Sequence, residues 1–415
     1  MVIKCDVLVV GAGPAGSSAA RAAAEAGAST ICIDKKEEIG RPVQCAEGIG
    51  TYLFPFLPFR IPENQLVWEI KGISFWAESL TIERCGGFWS GYAINRANFD
   101  TWLATRAVNA GAKLQLETEL MAMEFNEEYH VTKAIVKTGH DQLEIEPTIV
   151  IAADGADSTV LELLQVKKNS TGLVGEIKSY EMHNLHLDKP YDDQIFLGDF
   201  APGAYGYIFP KSRTTANVGT GFLFPKKNLD HCFAEFLEVP VVKRQLRNAH
   251  ALEEKSGRVP IGHLTDKKVY GNVLLVGDAA NQNIKPLVEG FLPAIICGDI
   301  AGKRAIKYLT KNGNLSDYPY DIDNKLGIFF NESNAFLTVA YDLLKSEDPK
   351  DKLLLLGLNS NVFSSQKIEK LKKRDYETVR QKLVDWTNSK IKQSFTILSE
   401  KKAFLCTGKH VHFPS

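Results

Sequence analysis

Six residues constrain this chain more than any others: Gly11-Ala12-Gly13-Pro14-Ala15-Gly16, set between an apolar run and an alanine-rich one. The run from Cys5 to Val10 (CDVLVV) has the continuous β-branched character of a parallel strand covered on both faces. Pro14 to Gly27 is rich in alanine, a strong helix former, and Thr30 to Asp34 (TICID) reads as a second strand. Strand, glycine turn, helix and strand in that order make a β-α-β unit built to hold a pyrophosphate. Gly11 permits the tight turn, Gly13 lets the backbone approach the phosphates, and Gly16 lets helix and strand pack closely. The helix start offers free N–H groups and a positive dipole, and Asp34 can accept hydrogen bonds from a ribose hydroxyl.

The fingerprint alone does not separate NAD from FAD, but two later segments point to FAD. Leu274 to Ala280 (LLVGDAA) is an apolar strand ending in Gly277-Asp278, where the carboxylate can bond a ribityl hydroxyl. Asn95-Arg96, with Phe99-Asp100, stands just before a helical pattern and places a cation within reach of the cofactor. Plainer roles exist for both: Asp278 could cap a helix, and Arg96 could form a surface ion pair.

The rest of the chain is read for organisation. At 415 residues it is long enough for two to three compact units. Tyr52 to Pro62 (YLFPFLPFRIP) is aromatic and proline-rich and reads as a loop or mobile segment. Short strands are expected within Trp68 to Ile82, a helix over Ala97 to Ala110, and several strands from Leu114 to Ile151, closing on Asp154-Gly155. Glu176 to Gly221 carries frequent aromatics and β-branched residues between turns, the pattern of an inserted antiparallel sheet. A third strand–turn–helix spans Asn272 to Ile306, its helix starting near Leu287, and the Lys-rich tail from Gly313 has helical spacing.

Charge and cysteine usage narrow the function classes. Lys+Arg 49 against Asp+Glu 50 leaves a net charge of −1, without the positive field that draws a protein to nucleic acid. The seven cysteines (Cys5, Cys32, Cys45, Cys85, Cys232, Cys297 and Cys406) form no Cys-x-x-Cys pair, which argues against a disulfide scaffold, a zinc ribbon or an iron–sulfur centre. His183 with His186, and His410 with His412, have no metal-ligand surroundings in the sequence, so no metal is expected. The N-terminus lacks the basic region of a signal peptide, and the densest aliphatic run, Leu353 to Leu358, is far below the ~20 residues of a membrane span. The expected location is cytoplasmic, in peripheral contact with a membrane.

Several segments together resemble the geranylgeranyl reductases, most closely their archaeal branch, within the flavoproteins shaped like p-hydroxybenzoate hydroxylase. They are VLVVGAGPAGSSAARAAAEAG, RPVQCAEGI around Cys45, YAINRANFD around Arg96, IAADGADS around Asp154, AYGYIFPKSRTTANVGTGF around Tyr205 and VLLVGDAA around Asp278. The Cys45 and Tyr205 segments are the discriminating ones. The resemblance implies a flavin enzyme that saturates C=C bonds of geranylgeranyl chains, on archaeal membrane lipid precursors, by hydride transfer from reduced FAD. It implies FAD along Ala15, Asp34, Lys35, Cys45, Ala46, Gly48, Arg96, Leu120, Asp154, Gly155, Gly277, Asp278, Gly290 and Phe291, in addition to Gly11, Gly13, Pro14 and Gly16. The fold class is then α/β: a Rossmann-like FAD-binding domain (1–170 and 266–310, with a small β insertion at about 60–95), an inserted antiparallel β substrate domain (171–265) and a helical C-terminal region (311–415).

Three departures from the family pattern stand out. Where relatives carry glycines against the flavin ring, this chain has Pro286-Leu287-Val288-Glu289-Gly290-Phe291, and the Glu289 and Phe291 side chains are expected to crowd that approach. Tyr207 replaces a frequent tryptophan, and the arginine common after the Asp-Gly segment is missing, since Ser158 runs into TVLELL.

The chemistry needs a hydride donor and a proton source on an unpolarised double bond. Cys45 is the candidate catalytic residue, as a donor facing the flavin, with a small buried hydrophobe as the plainer alternative. Tyr205, Tyr207 and Phe209, at period two, followed by Pro210, are candidate substrate-binding residues: they wall a prenyl tunnel or form sheet core, and the resemblance favours the tunnel. No second glycine fingerprint is present, so electrons are expected from a transiently bound NAD(P)H or a small carrier such as reduced ferredoxin. An isoprenoid lipid substrate requires contact with a bilayer, for which Tyr52 to Pro62 is the candidate. Two other functions share the FAD motifs: an aromatic-ring monooxygenase, and a non-catalytic flavin-binding electron-transfer protein.

Overall fold

A computed structural model describes residues 2–77, 80–166, 174–224 and 228–389; Cys406, His410 and His412 lie outside the described residues. In chain order the strands and helices begin with β1 (Val2–Val10), α1 (Pro14–Glu25), β2 (Thr30–Ile33) and β3 (Gly48–Gly50). β4 (Leu66–Ile70), β5 (Gly72–Ala77), β6 (Leu80–Cys85), β7 (Gly91–Ile94), α2 (Arg96–Asn109) and β8 (Lys113–Gln115) follow. Next come β9 (Thr118–Phe125), β10 (Val131–Thr138), β11 (Asp141–Ala152), α3 (Thr159–Leu163), β12 (Val174–His183), β13 (Asp192–Leu197), β14 (Gly206–Pro210) and β15 (Thr215–Phe222). The remainder is α4 (Leu229–Glu238), α5 (Pro240–Gln245), β16 (His250–Pro260), β17 (Val269–Tyr270), β18 (Val273–Leu275), α6 (Phe291–Leu309), α7 (Tyr318–Lys345), α8 (Pro349–Asn359), α9 (Ser365–Leu371) and a last helix over 376–389.

The first sheet is the doubly wound one, in the order β17-β18-β11-β1-β2-β8, with β10 and β9 continuing from β11. β1 runs parallel to both β2 and β11, and its Val7–Val10 half is buried. α1 packs on this sheet and against α6 so closely that a Cβ at Gly298 would stand 2.2 Å from the Ala15 carbonyl oxygen. Small residues on both helices make that approach sterically available, and the buried Arg21–Asp299 pair (2.5 Å) ties the two helices.

The second sheet has the order β16-β12-β15-β14-β13-β5-β6. Its composition revises the expected layout, in which residues 60–95 formed one small insertion of the FAD-binding domain. β5 and β6 instead extend the second sheet, β5 lying parallel to β13, while β7 pairs with β3 on one side and β4 on the other in a separate three-stranded sheet. Alternation marks a segment as a strand but carries no information about which edge it joins. The second sheet is covered on both faces. Phe233, Phe236 and Val242 of α4 and α5 pack on Phe196, Ile208 and Val218, and the C-terminal helices pack on Phe75, Ile82 and Ile195 through Leu353, Leu356, Ile368 and Leu371.

Two local expectations also change. Thr51–Phe56 is a 3-10 helix containing Pro55, with Leu53 fully buried and Phe54, Phe56 and Phe59 packed against the first domain's core, rather than a mobile loop. Proline forbids the α-helical ladder but tolerates a single tight turn. α6 starts at Phe291, not near Leu287, because Ile284 and Glu289 exchange two backbone hydrogen bonds of 2.9 Å and close a short hairpin there. Val288 in that hairpin has φ 57°, a conformation rare for a β-branched residue. No helix among the described residues is long and apolar enough to cross a membrane.

Candidate active site

One cavity of about 910 Å³ runs from the start of α1 to the face of the second sheet. At one end it is lined by Gly11, Gly13, Pro14 and Ala15, by Asp34 and Lys35 after β2, by Leu120 on β9, and by Asp154 and Gly155 after β11. Gly13 is extended (φ −68°, ψ −170°), and a Cβ there would meet nothing within 4 Å, so its backbone opens directly on the cavity. The first-turn N–H groups of α1 have no intrahelical partner and point the same way. Gly16 does not line the cavity. Its role is packing, since a Cβ there would lie 1.7 Å from the Gly11 carbonyl oxygen. Asp34 braces the glycine turn, its Oδ2 accepting from Ala12 N (2.8 Å) and its Oδ1 from Lys36 N (2.9 Å).

Asp154 accepts from the Ser158 hydroxyl (2.6 Å) and from Val160 N (3.0 Å), and so caps α3 while facing the cavity. Burial lifts its carboxyl above the usual range. Arg258 of β16 lines the cavity and donates to Asp157, three residues after Asp154, at 2.5 Å.

The middle of the cavity is formed by Gly277, Asp278, Arg96, Gly290 and Phe291. Asp278 does not cap α6, whose N-cap residue is Gly290; it lies half-buried beside Asn283, Lys285 and Arg96, and desolvation raises its pKa. Arg96 is no surface ion pair either. Its guanidinium is held by both Asp100 oxygens (2.9 and 2.8 Å) and lies 4.4 Å from the centroid of the Phe291 ring. Phe291 packs edge-on against Phe99 at 5.0 Å, and the Glu289 carboxylate turns to Gly50 N (3.0 Å) and the Tyr52 hydroxyl (2.8 Å). Both side chains line the cavity and have partners of their own, so the hairpin is braced there.

At the far end stand Cys45, Ala46, Glu47 and Gly48, with Tyr205, Tyr207 and Phe209 opposite. The Cys45 Sγ accepts from Glu47 N at 3.2 Å. Rings of Tyr205 and Tyr207 are 6.3 Å apart, those of Tyr207 and Phe209 4.8 Å, and the Tyr205 hydroxyl donates to the Leu287 carbonyl (2.9 Å). Pro210 is buried at the end of β14 and does not line the cavity, because the pleat that presents Tyr207 and Phe209 sends it elsewhere. Phe336, Leu337 and Leu344 of α7 and Leu355 of α8 complete an apolar wall.

Sequence reasoning missed the polar cluster behind this end. Glu47, in the left-handed region at φ 66°, is 1% exposed and accepts from Arg96 N (2.8 Å), Lys211 Nζ (2.7 Å), Lys255 Nζ (2.7 Å) and Asn217 Nδ2 (2.9 Å). Burial works against its charge, but the two ammonium groups outweigh it and hold the carboxyl below its ordinary pKa. Glu181 of β12 takes the same lysines from the other side and is pulled down to about 2, burial again being overcome by Lys211 and Lys255. Nothing in the local sequence marks these residues, since each is an ordinary charge in its own strand or turn. Among the described residues, no three His, Cys, Asp or Glu side chains are arranged to hold a metal ion.

A glycine turn opening on free backbone, an acid just after β2 and a Gly-Asp turn, all on one cavity, are the features of a dinucleotide-binding oxidoreductase of the Rossmann type. Residues 6–54 match the FAD binding domain model, and residues 177–259 match the geranylgeranyl reductase catalytic domain. The chain is 36% identical over 326 residues to digeranylgeranylglycerophospholipid reductase of Methanococcus aeolicus, covering 77% of this chain and 81% of that one. It is 38% identical over 312 residues to the protein of the same name from Methanocaldococcus jannaschii, covering 74% and 78%. A geranylgeranyl bacteriochlorophyll reductase-like protein from Thermoplasma acidophilum superimposes with a TM-score of 0.77 at 26% identity, over 93% of this chain and 100% of that one. The chain belongs to the digeranylgeranylglycerophospholipid reductase family of FAD-dependent oxidoreductases. The flavin-dependent brominase Bmp2, at 18% identity and a TM-score of 0.64 over 93% of this chain and 100% of that one, shares the fold.

Proposed function

We propose that the protein saturates C=C bonds of geranylgeranyl chains on membrane lipid precursors, with FAD held from the glycine turn to the Cys45–Gly48 segment. The observation that carries this reading is the continuity of the cavity: the phosphate end at Gly13 and the apolar end at Phe209, Leu337 and Leu355 belong to one space. When bound, reduced FAD supplies the hydride. Around it, Asp34 and Asp278 are the ribose and ribityl acceptors, and Arg96 is a fixed cation beside the cofactor path. Tyr205, Tyr207 and Phe209 orient the isoprenoid chain, and Cys45 faces the flavin from the opposite side.

Electrons enter from NAD(P)H bound transiently or from a small carrier such as reduced ferredoxin. The protein works in the cytoplasm at a membrane surface, where its lipid substrate resides. Phe88, 45% exposed, lines the cavity and packs 4.3 Å from the Tyr52 ring, which suits an apolar entrance facing lipid.

The test is anaerobic. The purified flavoprotein is reduced with dithionite and mixed with a geranylgeranyl lipid, and flavin reoxidation is followed together with the lipid mass. Reoxidation with added hydrogens is the expected result. A flavin that stays reduced with prenyl lipids, yet reoxidises in air while consuming an aromatic substrate, would replace this reading with a monooxygenase.

A further inference from the structure

The apolar end of the cavity contains one acid with no task in holding the fold. Asp193, second residue of β13 and opposite Ile73 of β5, lines the cavity, whereas its neighbour Asp192 accepts from the Ser74 hydroxyl at 3.0 Å. Among the described residues, no donor reaches the Asp193 carboxyl; what bears on it is burial first, then the charges of Asp192 and Glu289. Its position is between the two walls. A Cβ on Gly48 would stand 3.6 Å from Asp193 Oδ2 and 3.6 Å from the Phe209 ring, so the carboxyl adjoins both the Cys45–Gly48 segment and the aromatic strand.

Of the other proton-bearing groups nearby, Glu289 and Tyr205 are committed within the fold, and the Tyr207 hydroxyl, buried without a hydrogen-bond partner among the described residues, is made a far weaker acid than Asp193 by that burial. Glu289 holds Gly50 N and the Tyr52 hydroxyl, the Tyr205 hydroxyl donates to Leu287, and Cys45 Sγ accepts from Glu47 N. The groups acting on Asp193 electrostatically are Asp192 on its own strand and Glu289 from the 284–289 hairpin, both acidic, and no cation offsets them. Burial and these two carboxylates push its pKa up to about 8, so the acid keeps its proton at neutral pH.

We propose that Asp193 is the acid that protonates the substrate double bond, a catalytic role that rests on the prenyl-reductase reading above. The π bond breaks; the hydride from reduced flavin forms a C–H bond at one carbon, and the Asp193 proton forms a C–H bond at the other. Flavin is oxidised by two electrons and the alkene reduced by two, and the carboxylate left behind regains a proton from solvent as product leaves. A positioned acid is the component that an unpolarised alkene cannot do without, and such groups contribute roughly 10²–10⁴-fold to rate.

The test uses the FAD-loaded protein and Asp193→Asn, which keeps the side chain's shape. Infrared difference spectra at pH 7 are expected to show a neutral carboxyl band that the variant lacks and that fades above about pH 8. In anaerobic single turnover with a geranylgeranyl lipid, the variant is expected to hold and accept electrons into FAD normally. Its reoxidation should slow at least about a hundredfold. An ionised Asp193 at pH 7, or reoxidation within about threefold of wild type, overturns the proposal. A wild-type flavin that no prenyl lipid reoxidises overturns the functional reading itself, and this proposal with it. Asp193→Ser serves the same comparison if the asparagine variant does not retain FAD.

Discussion

Lys255 Nζ lies 2.7 Å from Glu47 Oε2, and the two side chains are 2% and 1% exposed. This pair, with Lys211 and Asn217, fastens the Cys45–Gly48 segment to the second sheet. Removing Lys255 leaves the Glu47 and Glu181 carboxylates to share one ammonium, Lys211, and that excess charge is far costlier than never having had the pair. Lys255→Met is therefore expected to lower the unfolding free energy by about 3–5 kcal/mol. Urea titration of the variant and wild type checks this, and a loss under about 1 kcal/mol would mean that water reaches Glu47.

The second and third glycines of the turn separate binding from folding. Gly13→Ala adds a methyl group in open cavity space at an ordinary extended conformation, so the apoprotein should melt as wild type does while FAD affinity falls. Gly16→Ala puts a Cβ on the Gly11 carbonyl and should destabilise even the apoprotein, by about 3 kcal/mol or more. Thermal melts and FAD titrations on both variants decide it; equal melting temperatures would refute the packing role of Gly16.

Glu289 gives a pH dependence of definite sign. Burial raises its pKa to about 7 from 4.5, so the native state keeps the proton where the unfolded chain has released it. Its contribution is full below about pH 4.5 and is lost as pH rises through 7. Glu289→Gln should accordingly gain on wild type between pH 5 and pH 8, by roughly 3 kcal/mol in all. Denaturant midpoints across that range test it, and a difference independent of pH would contradict it.

The aromatic 3-10 helix makes a prediction about membranes. Phe56 packs edge-on against Phe329 at 5.3 Å and Phe54 lies 6.2 Å from Tyr92, so both serve the fold. Phe56→Ser should cost about 2 kcal/mol of stability and leave vesicle binding of the folded protein unchanged. Phe88→Ser should do the reverse. Flotation with phospholipid vesicles, beside melting curves, distinguishes them, and unchanged binding in Phe88→Ser would remove Phe88 from the membrane contact.

What could be read along the chain was whatever its chemistry holds within a few tens of residues. The glycine turn, Asp34, the Gly277-Asp278 turn and the aromatic repeat at Tyr205, Tyr207 and Phe209 are local patterns, in which spacing along the chain is also spacing in space. Tertiary structure decided everything that depends on which distant segment comes alongside. Glu47 and Lys255 are 208 positions apart, and only the packing of the turn before β3 against the second sheet brings them together. Asp193 reads as one of two adjacent acids until the parallel β5–β13 pairing sets it in the cavity wall while Asp192 bonds Ser74. The apolar run Leu353 to Leu358 shows no target in sequence, yet it covers β5, and Leu355 closes the chamber. Hydrophobic burial is non-directional, so composition states that such a segment must be covered but not by what; the sheet order, set by backbone pairing, supplies the answer.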